Sequence, residues 1–372
     1  MSLTKPQKTY KRIGIVTIND YTNYGNRLQN YALQTLLSQF GPCETIFCYA
    51  NDDTPSKKKQ IADCAKTIMK FCAGGVHHLT GKRELAFRKF TKELAPDDKA
   101  TVDYRNGLLP KGTHFDCIVA GSDQVWNDRY ISQSGLRLRL CSFASNQTRL
   151  ISYAASFGVD NVKKSSEDSF RTYLPRFSAL SVREDRAKEL VHELSGEEAT
   201  VVIDPTLMLT ADQWLSITQG FVKPDDRYVL TYFLGHLSPE QDQIIQDYAR
   251  KHHCRVRNIY SYYSFSDDAE NYPVGPREFV ELFAKAQYVF TDSYHACCFS
   301  IIFNKDFKVF GRNGLSAKDN MNSRMETLFR LFELGEAFNE STEGHAIDYA
   351  HVNQLLEQYR TESGQWLTNA LS

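Results

Sequence analysis

Four polar loops hold the residue types in this chain that can do chemistry, and each follows a short strand-like run. The last, Thr291-Asp292-Ser293-Tyr294-His295, stands between the β-rich Tyr288–Thr291 and the small, apolar stretch Ala296–Phe303. That order reads as strand, loop and the start of a buried helix, and open α/β sheets bind ligands beyond the carboxyl ends of their strands. His295 therefore sits where chemistry usually occurs. Histidine is also the side-chain type whose unperturbed pKa, about 6.5, lies nearest physiological pH. Taken alone, a histidine at such a place is more commonly structural. Cys297 and Cys298 beside it read as buried packing residues, since a thiol in apolar surroundings is inert.

The other three loops offer binding groups. Asn19–Asn26 (NDYTNYGN) presents Asp20, Asn23 and Asn26 ahead of a helix whose N-terminus can hold an anion, and Gly25 permits close backbone approach. It is not a GxGxxG fingerprint, so an ordinary dinucleotide site is disfavoured; a polar turn with a capping asparagine is the plainer reading. Gly121–Asn127 (GSDQVWN) offers Asp123, Gln124 and Asn127 to hydroxyl groups and the flat face of Trp126 to a sugar, against the plainer reading of a capped helix start with a packed tryptophan. In Ser181–Asp185, Arg183 closes a strand, and its guanidinium matches carboxylate or phosphate in a bidentate way. The alternative is a local salt bridge to Glu184 or Asp185.

Alternating strands and helices must position these loops. Strands are expected at 12–18, 44–49, 115–120, 150–154, 179–182 and 200–203, then again at 228–234, 255–260, 288–291 and 307–310. Helices fall between them, including 27–40, a basic segment over 57–91 broken at Ala73-Gly74-Gly75, and 322–332. Thr210 with Gln213, and Ser238-Pro239 with Gln241, carry capping-box signatures. Two successive βα series predict an α/β fold of two Rossmann-like parallel-sheet domains facing a cleft, spanning 11–208 and 209–344, with a C-terminal helix over 345–372 placed to cross back onto the first.

The bulk numbers narrow the function. The chain has 372 residues, a net charge of −1 and 24% charged residues, so no broad field draws it to nucleic acid or an anionic membrane. No apolar run approaches the ~20 residues of a membrane span, which leaves only peripheral contact with a membrane surface open. MSLTKPQKTYKR has no apolar core of a secretory signal. Nine cysteines without a CxxC pair read as reduced thiols of a cytoplasmic protein. Paired metal-ligand spacing is absent, and the adjacent His77-His78 and His252-His253 diverge on a helix, so no metal is expected.

The stretches NDYTNYGNRLQNYALQ (19–34), FDCIVAGSDQVWN (115–127), ISYAASFG (151–158), LSVRED (180–185), VVIDPTLML (201–209) and FTDSYHACCFSIIFNKDF (290–307), in this order, resemble the polysaccharide pyruvyl transferase family; NSRMETLF (322–329) is a weaker match. The resemblance implies a glycosyltransferase GT-B-like fold. It also implies transfer of the enolpyruvyl unit of phosphoenolpyruvate to two hydroxyls of a sugar or lipid-linked saccharide, with no cofactor. It makes His295 the acid and Arg183 a donor-binding group; the chemistry of the first two loops puts Asp20, Asn23, Asn26, Asp123 and Trp126 on the acceptor side. One position departs from the family. Ser293 stands where better-studied members carry an arginine that grips the donor phosphate, so Arg324 or Arg27 replaces that cation or the donor differs. A nucleotide-sugar glycosyltransferase of the same fold and a non-catalytic glycan-binding relative are the competing readings.

Overall fold

The computed structural model describes residues 9–20, 22–48, 57–73, 75–95, 97–103, 107–222, 227–261, 270–312, 323–335 and 346–372. Residues 1–8, Tyr21, Tyr49, Gly74 and Asn322, which the sequence reading covered, lie outside these. Two five-stranded parallel sheets organise the chain. The first contains β1 (Ile13–Val16), β2 (Cys43–Phe47), β3 (Asp97–Thr101), β4 (Cys117–Ala120) and β5 (Arg149–Ser152) in the order β3-β2-β1-β4-β5. A parallel pair, β6 (Leu180–Val182) and β7 (Ala199–Val201), continues it through single bridges from Ile151 to Ala179 and from Ala155 to Val182. The second sheet contains β8 (Tyr228–Tyr232), β9 (Arg255–Ile259), β10 (Glu270–Tyr272), β11 (Tyr288–Thr291) and β12 (Phe307–Val309), ordered β10-β9-β8-β11-β12.

The two sheets thus share one topology, the arrangement expected for paired Rossmann-like halves. Chain order reverses between β1 and β4 in the first sheet and between β8 and β11 in the second. Such switch points open a crevice at the carboxyl end of an open α/β sheet. The loops Asn19–Asn26 and Gly121–Asn127 leave β1 and β4, and the His295 loop leaves β11. Three of the four candidate loops therefore emerge at switch points; the fourth, Ser181–Asp185, leaves β6.

Side-chain alternation along the strands explains how the sheets are covered. Ile13 and Ile15 of β1, Cys117 and Val119 of β4, Leu230 of β8 and Val289 of β11 belong to one apolar core. Their neighbours Val16, Ile118 and Ala120 face a second core on the far side of the first sheet. Val229, Tyr288 and Phe290 face a third behind the second sheet. A period of two sends successive residues to opposite faces, so both sheets contribute one face to a shared interior. Tyr24 stands at the join, stacked on Phe279 at 4.5 Å, edge-on to Tyr232 at 5.5 Å, and donating its hydroxyl to Val274 O at 2.7 Å.

Both capping boxes form, Thr210 with Gln213 and Ser238 with Gln241. The basic segment is two helices, Lys57–Cys72 and Gly75–Leu94. The expected helix start at GSDQVWN is absent: Asp123 takes a left-handed φ of 63°, and the next helix is Gln133–Arg139, capped by Ser132. β3 and β10 are additions to the sequence reading. Both are polar edge strands, DDKAT and ENY, without the apolar alternation that marks a strand.

The C-terminal helix Tyr349–Ala370 lies against the first half. Arg360 donates from Nε to Leu207 O and from Nη2 to Leu209 O, both at 2.7 Å, and Arg149 Nε reaches Ala370 O at 2.9 Å. Replacing Arg360 by Met removes a charged donor from two buried carbonyls. It is expected to lower the unfolding free energy by about 2–3 kcal/mol in urea titration; an unchanged midpoint would show that the helix is held otherwise.

Candidate active site

The site is assembled around Arg183, which leaves the end of β6 with a fully buried side chain. Its Nη1 donates to Asp204 Oδ2 at 2.8 Å and its Nη2 to Asp123 Oδ1 at 3.0 Å. The guanidinium also lies 4.3 Å over the ring of Tyr294. Neither local partner expected from the sequence takes part. Glu184 Oε1 instead accepts from Ser156 Oγ and the backbone of Phe157 and Gly158, while Asp185 pairs with Arg330 on helix Ser323–Leu331.

Each carboxylate that flanks Arg183 has further donors. Asp204 caps the short helix Pro205–Met208 and accepts from Thr206 N at 2.9 Å and Thr206 Oγ1 at 2.8 Å. Its Oδ2 also accepts from Ser122 Oγ at 3.1 Å. Asp123 Oδ2 accepts from Asn26 Nδ2. Gln29 joins the two loops of the first switch point, donating to Thr17 Oγ1 at 2.8 Å and accepting from Ser122 N at 3.1 Å. Burial alone would raise the pKa of both aspartates, but the cations outweigh it. Arg183, His295 and Arg324 hold Asp123 low, and His295 and Arg183 hold Asp204 far below the carboxylate range.

His295 meets this cluster from the second half. It occupies the first turn of helix Tyr294–Ile302, is 7% exposed, and places Nε2 3.6 Å from Asp204 Oδ2. Its other nitrogen packs on helix Tyr24–Leu37 at Gly25, where any Cβ would overlap the imidazole. Gly25 thus serves close approach as the sequence suggested, with the histidine ring as the group that approaches. Ser293 is the N-cap of the His295 helix and makes no side-chain capping bond. Asp292 ties this loop to β8, accepting from Leu234 N at 2.7 Å, Gly235 N at 2.9 Å and Arg312 Nε at 3.1 Å.

The two cations suggested in place of the missing arginine differ in position. Arg27 is fully buried and donates to Ile18 O at 3.2 Å, inside the loop after β1. Arg324 reaches the cluster: the Gln124 amide turns its oxygen to Arg324 Nη1 at 2.6 Å. Burial and the charge of Arg183 lower the Arg324 guanidinium to about 10.

Asp20, Asn23, Asn26 and Asp123 line one cavity of about 350 Å³ beside the cluster, within the usual size range of small-molecule sites, ~300–1,000 Å³. Trp126 is not on its wall. It is fully buried, 5.4 Å from Phe157 and 5.9 Å from Phe177, because the turn at Asp123 sends it behind the first sheet. It offers no face to a ligand, whereas Tyr130, 77% exposed, borders the cavity. Asp204 escaped the list of site residues drawn from sequence. Its signal is an aspartate after an apolar run and before Pro-Thr. Among the described residues, no group of three or more His, Cys, Asp or Glu side chains could hold a metal, and no helix is long and apolar enough to cross a membrane.

Paired Rossmann-like sheets with a polar cluster at both switch points define a GT-B-like α/β fold. The chain belongs to the polysaccharide pyruvyl transferase family, whose sequence model matches residues 23–313. No curated protein matches it. Solved structures resemble it distantly. The UDP-GlcNAc 2-epimerase of Neisseria meningitidis bound to UDP-GlcNAc is 10% identical, over 94% of this chain and 99% of that one, with a TM-score of 0.43. The UDP-GlcNAc 2-epimerase of Methanocaldococcus jannaschii is 12% identical over 93% and 99%, with a TM-score of 0.43. A UDP-glucosyltransferase of Polygonum tinctorium is 9% identical over 99% and 100%, with a TM-score of 0.42.

Removing Arg183 leaves two buried carboxylates without their shared cation, so Arg183→Met is expected to cost about 3–5 kcal/mol of stability; a loss below 1 kcal/mol in denaturant titration would contradict the ion triad. The acid limb is a second test. Asp123 and Asp204 have folded pKa values below their unfolded ones, so their stabilisation is complete above about pH 3.9 and is lost as pH falls further. Glu184, raised by burial, acts in the opposite sense above about pH 4.3 and flattens the curve there. The unfolding midpoint should therefore drop steeply below about pH 4; a midpoint that stays level to about pH 2 contradicts the depressed aspartates.

Proposed function

We propose that this protein transfers the enolpyruvyl unit of phosphoenolpyruvate to two hydroxyls of one sugar, giving a pyruvate ketal and inorganic phosphate. The observation that carries the reading is the meeting of His295 from one half with Asp204 from the other, in a chain of this family. Ketal formation begins with a proton added to the methylene carbon, which becomes a methyl group and leaves cationic character on the neighbouring carbon. His295 supplies that proton, and Asp204, 3.6 Å from its Nε2, holds the imidazole in place. A sugar hydroxyl attacks the cationic carbon and loses its proton, the carbon–oxygen bond to phosphate breaks, and the second hydroxyl closes the ring.

Arg183 takes a supporting part in this reading, since both its Nη atoms are committed to carboxylates. The donor's charge falls to Arg324, to Ser293 and to the first-turn N–H groups of helix Tyr294–Ile302, which favour an anion. The acceptor occupies the cavity lined by Asp20, Asn23, Asn26 and Asp123. Asp20 is the candidate to accept a hydroxyl proton, because Asp123 is occupied by Arg183 and Asn26.

Purified protein with phosphoenolpyruvate and a saccharide acceptor should release phosphate. His295→Ala should lower the rate by about 10²–10⁴, and Gly25→Ala, which displaces the ring, should lower it at least about tenfold with the fold intact. Full activity in His295→Ala sinks the acid assignment. Thermal stabilisation by UDP-sugars and none by phosphoenolpyruvate would instead favour nucleotide-sugar transfer.

A further inference from the structure

Arg139 is the last residue of helix Gln133–Arg139 and lines the same cavity, yet it is only 5% exposed. Among the described residues it has no ion pair and no hydrogen-bond acceptor, and its Nε is buried without a partner. Two titratable groups act on its charge, Cys48 and Asp123. Burial pushes the Cys48 thiol up to about 12, so it stays protonated near neutrality. Asp123 already receives Arg183 and Asn26. The guanidinium itself is lowered to about 10 by burial, and so remains cationic at neutral pH. The carbonyl end of its helix is a mildly favourable place for a cation, but a helix of seven residues does not replace a missing counter-ion. Buried charges in proteins are paired or ligand-bound, and a guanidinium on a cavity wall fits the planar oxygens of a carboxylate or a phosphate.

We propose that Arg139 anchors an anionic group of the acceptor, so that the sugar to be modified carries a carboxylate or a phosphate. The proposal rests on the cavity being the acceptor site, as argued above. The neighbouring wall suits the remainder of a sugar: Asn23 and Asn26 offer amides to hydroxyls, and Tyr130 at the rim gives an aromatic face. The anion and the hydroxyl-binding groups together would fix which hydroxyl pair turns toward Asp123 and the His295 cluster.

The test uses the full chain and three sugars (glucose, glucuronate and glucose 1-phosphate), with dissociation constants from ligand-observed NMR, and phosphoenolpyruvate titrated separately. At least one anionic sugar should bind tenfold or more tightly than glucose, and the better of the two identifies carboxylate or phosphate as the group recognised. Arg139→Gln should remove that preference and Arg139→Lys should keep part of it. Phosphoenolpyruvate affinity should stay within twofold of wild type in both. The melting temperature of Arg139→Gln should be unchanged or higher, because an uncompensated buried charge is removed; a merely structural arginine would lower it. Equal binding of the three sugars, no binding of any, or a preference that survives Arg139→Gln overturns the proposal. So does a loss confined to phosphoenolpyruvate, which would assign Arg139 to the donor. If phosphoenolpyruvate fails to bind the wild type while the anionic-sugar preference holds and depends on Arg139, the anchor stands and the donor assignment falls.

Discussion

One guanidinium between two carboxylates holds this structure's centre together. Arg183 spans Asp123 and Asp204, out of contact with water, and thereby links the loop after β4, the end of β6 and the turn after β7. Taking three charges out of water is costly unless every remaining polar atom finds a partner. Asn26, Ser122 and Thr206 supply most of those partners, which extends the network to the helix after β1. The result is a cluster in which two carboxylates share one guanidinium, with Arg324 beside it, facing the second half. His295 completes it from across the cleft.

How His295 comes to that place is a matter of packing as much as charge. Tyr24 stacks against aromatic residues of the second half, and the next residue is a glycine with no side chain to obstruct the imidazole. The apolar core and the polar cluster are therefore in register: the residue that joins the halves precedes the residue that admits the histidine. Ser293 stands where the family resemblance implies an arginine. Arg183 and Arg312 both act on the charge of Arg324. The short serine makes no side-chain capping bond at the helix start.

Much of this was legible in the sequence, for identifiable reasons. The βα alternation, the capping boxes and the polar loops at strand ends are local patterns, and local patterns survive reading one segment at a time. Asp20, Asn23, Asn26 and Asp123 were grouped from loop chemistry and do share one cavity. Trp126 was misplaced because a left-handed turn at Asp123 reversed its direction, and no composition rule announces that. β3 and β10 were missed because edge strands need no apolar alternation. Asp204 and Arg139 were missed for a deeper reason. Each matters through partners, present or absent, that are remote in the chain, and pairing across such distances is not written in any window of the sequence. The salt bridge expected between Arg183 and its neighbours failed for the same reason: the chain placed distant aspartates closer than adjacent ones.

The central claim is that His295 protonates the methylene carbon of phosphoenolpyruvate so that a sugar can capture the resulting cation. The most direct measurement is the reaction run in deuterium oxide with proton and carbon NMR of the product. Protonation by His295 should give a new ketal methyl group carrying one deuterium, formed along with inorganic phosphate and absent with His295→Ala. A product that keeps its vinyl protons, or a methyl ketal formed equally well without His295, would contradict it.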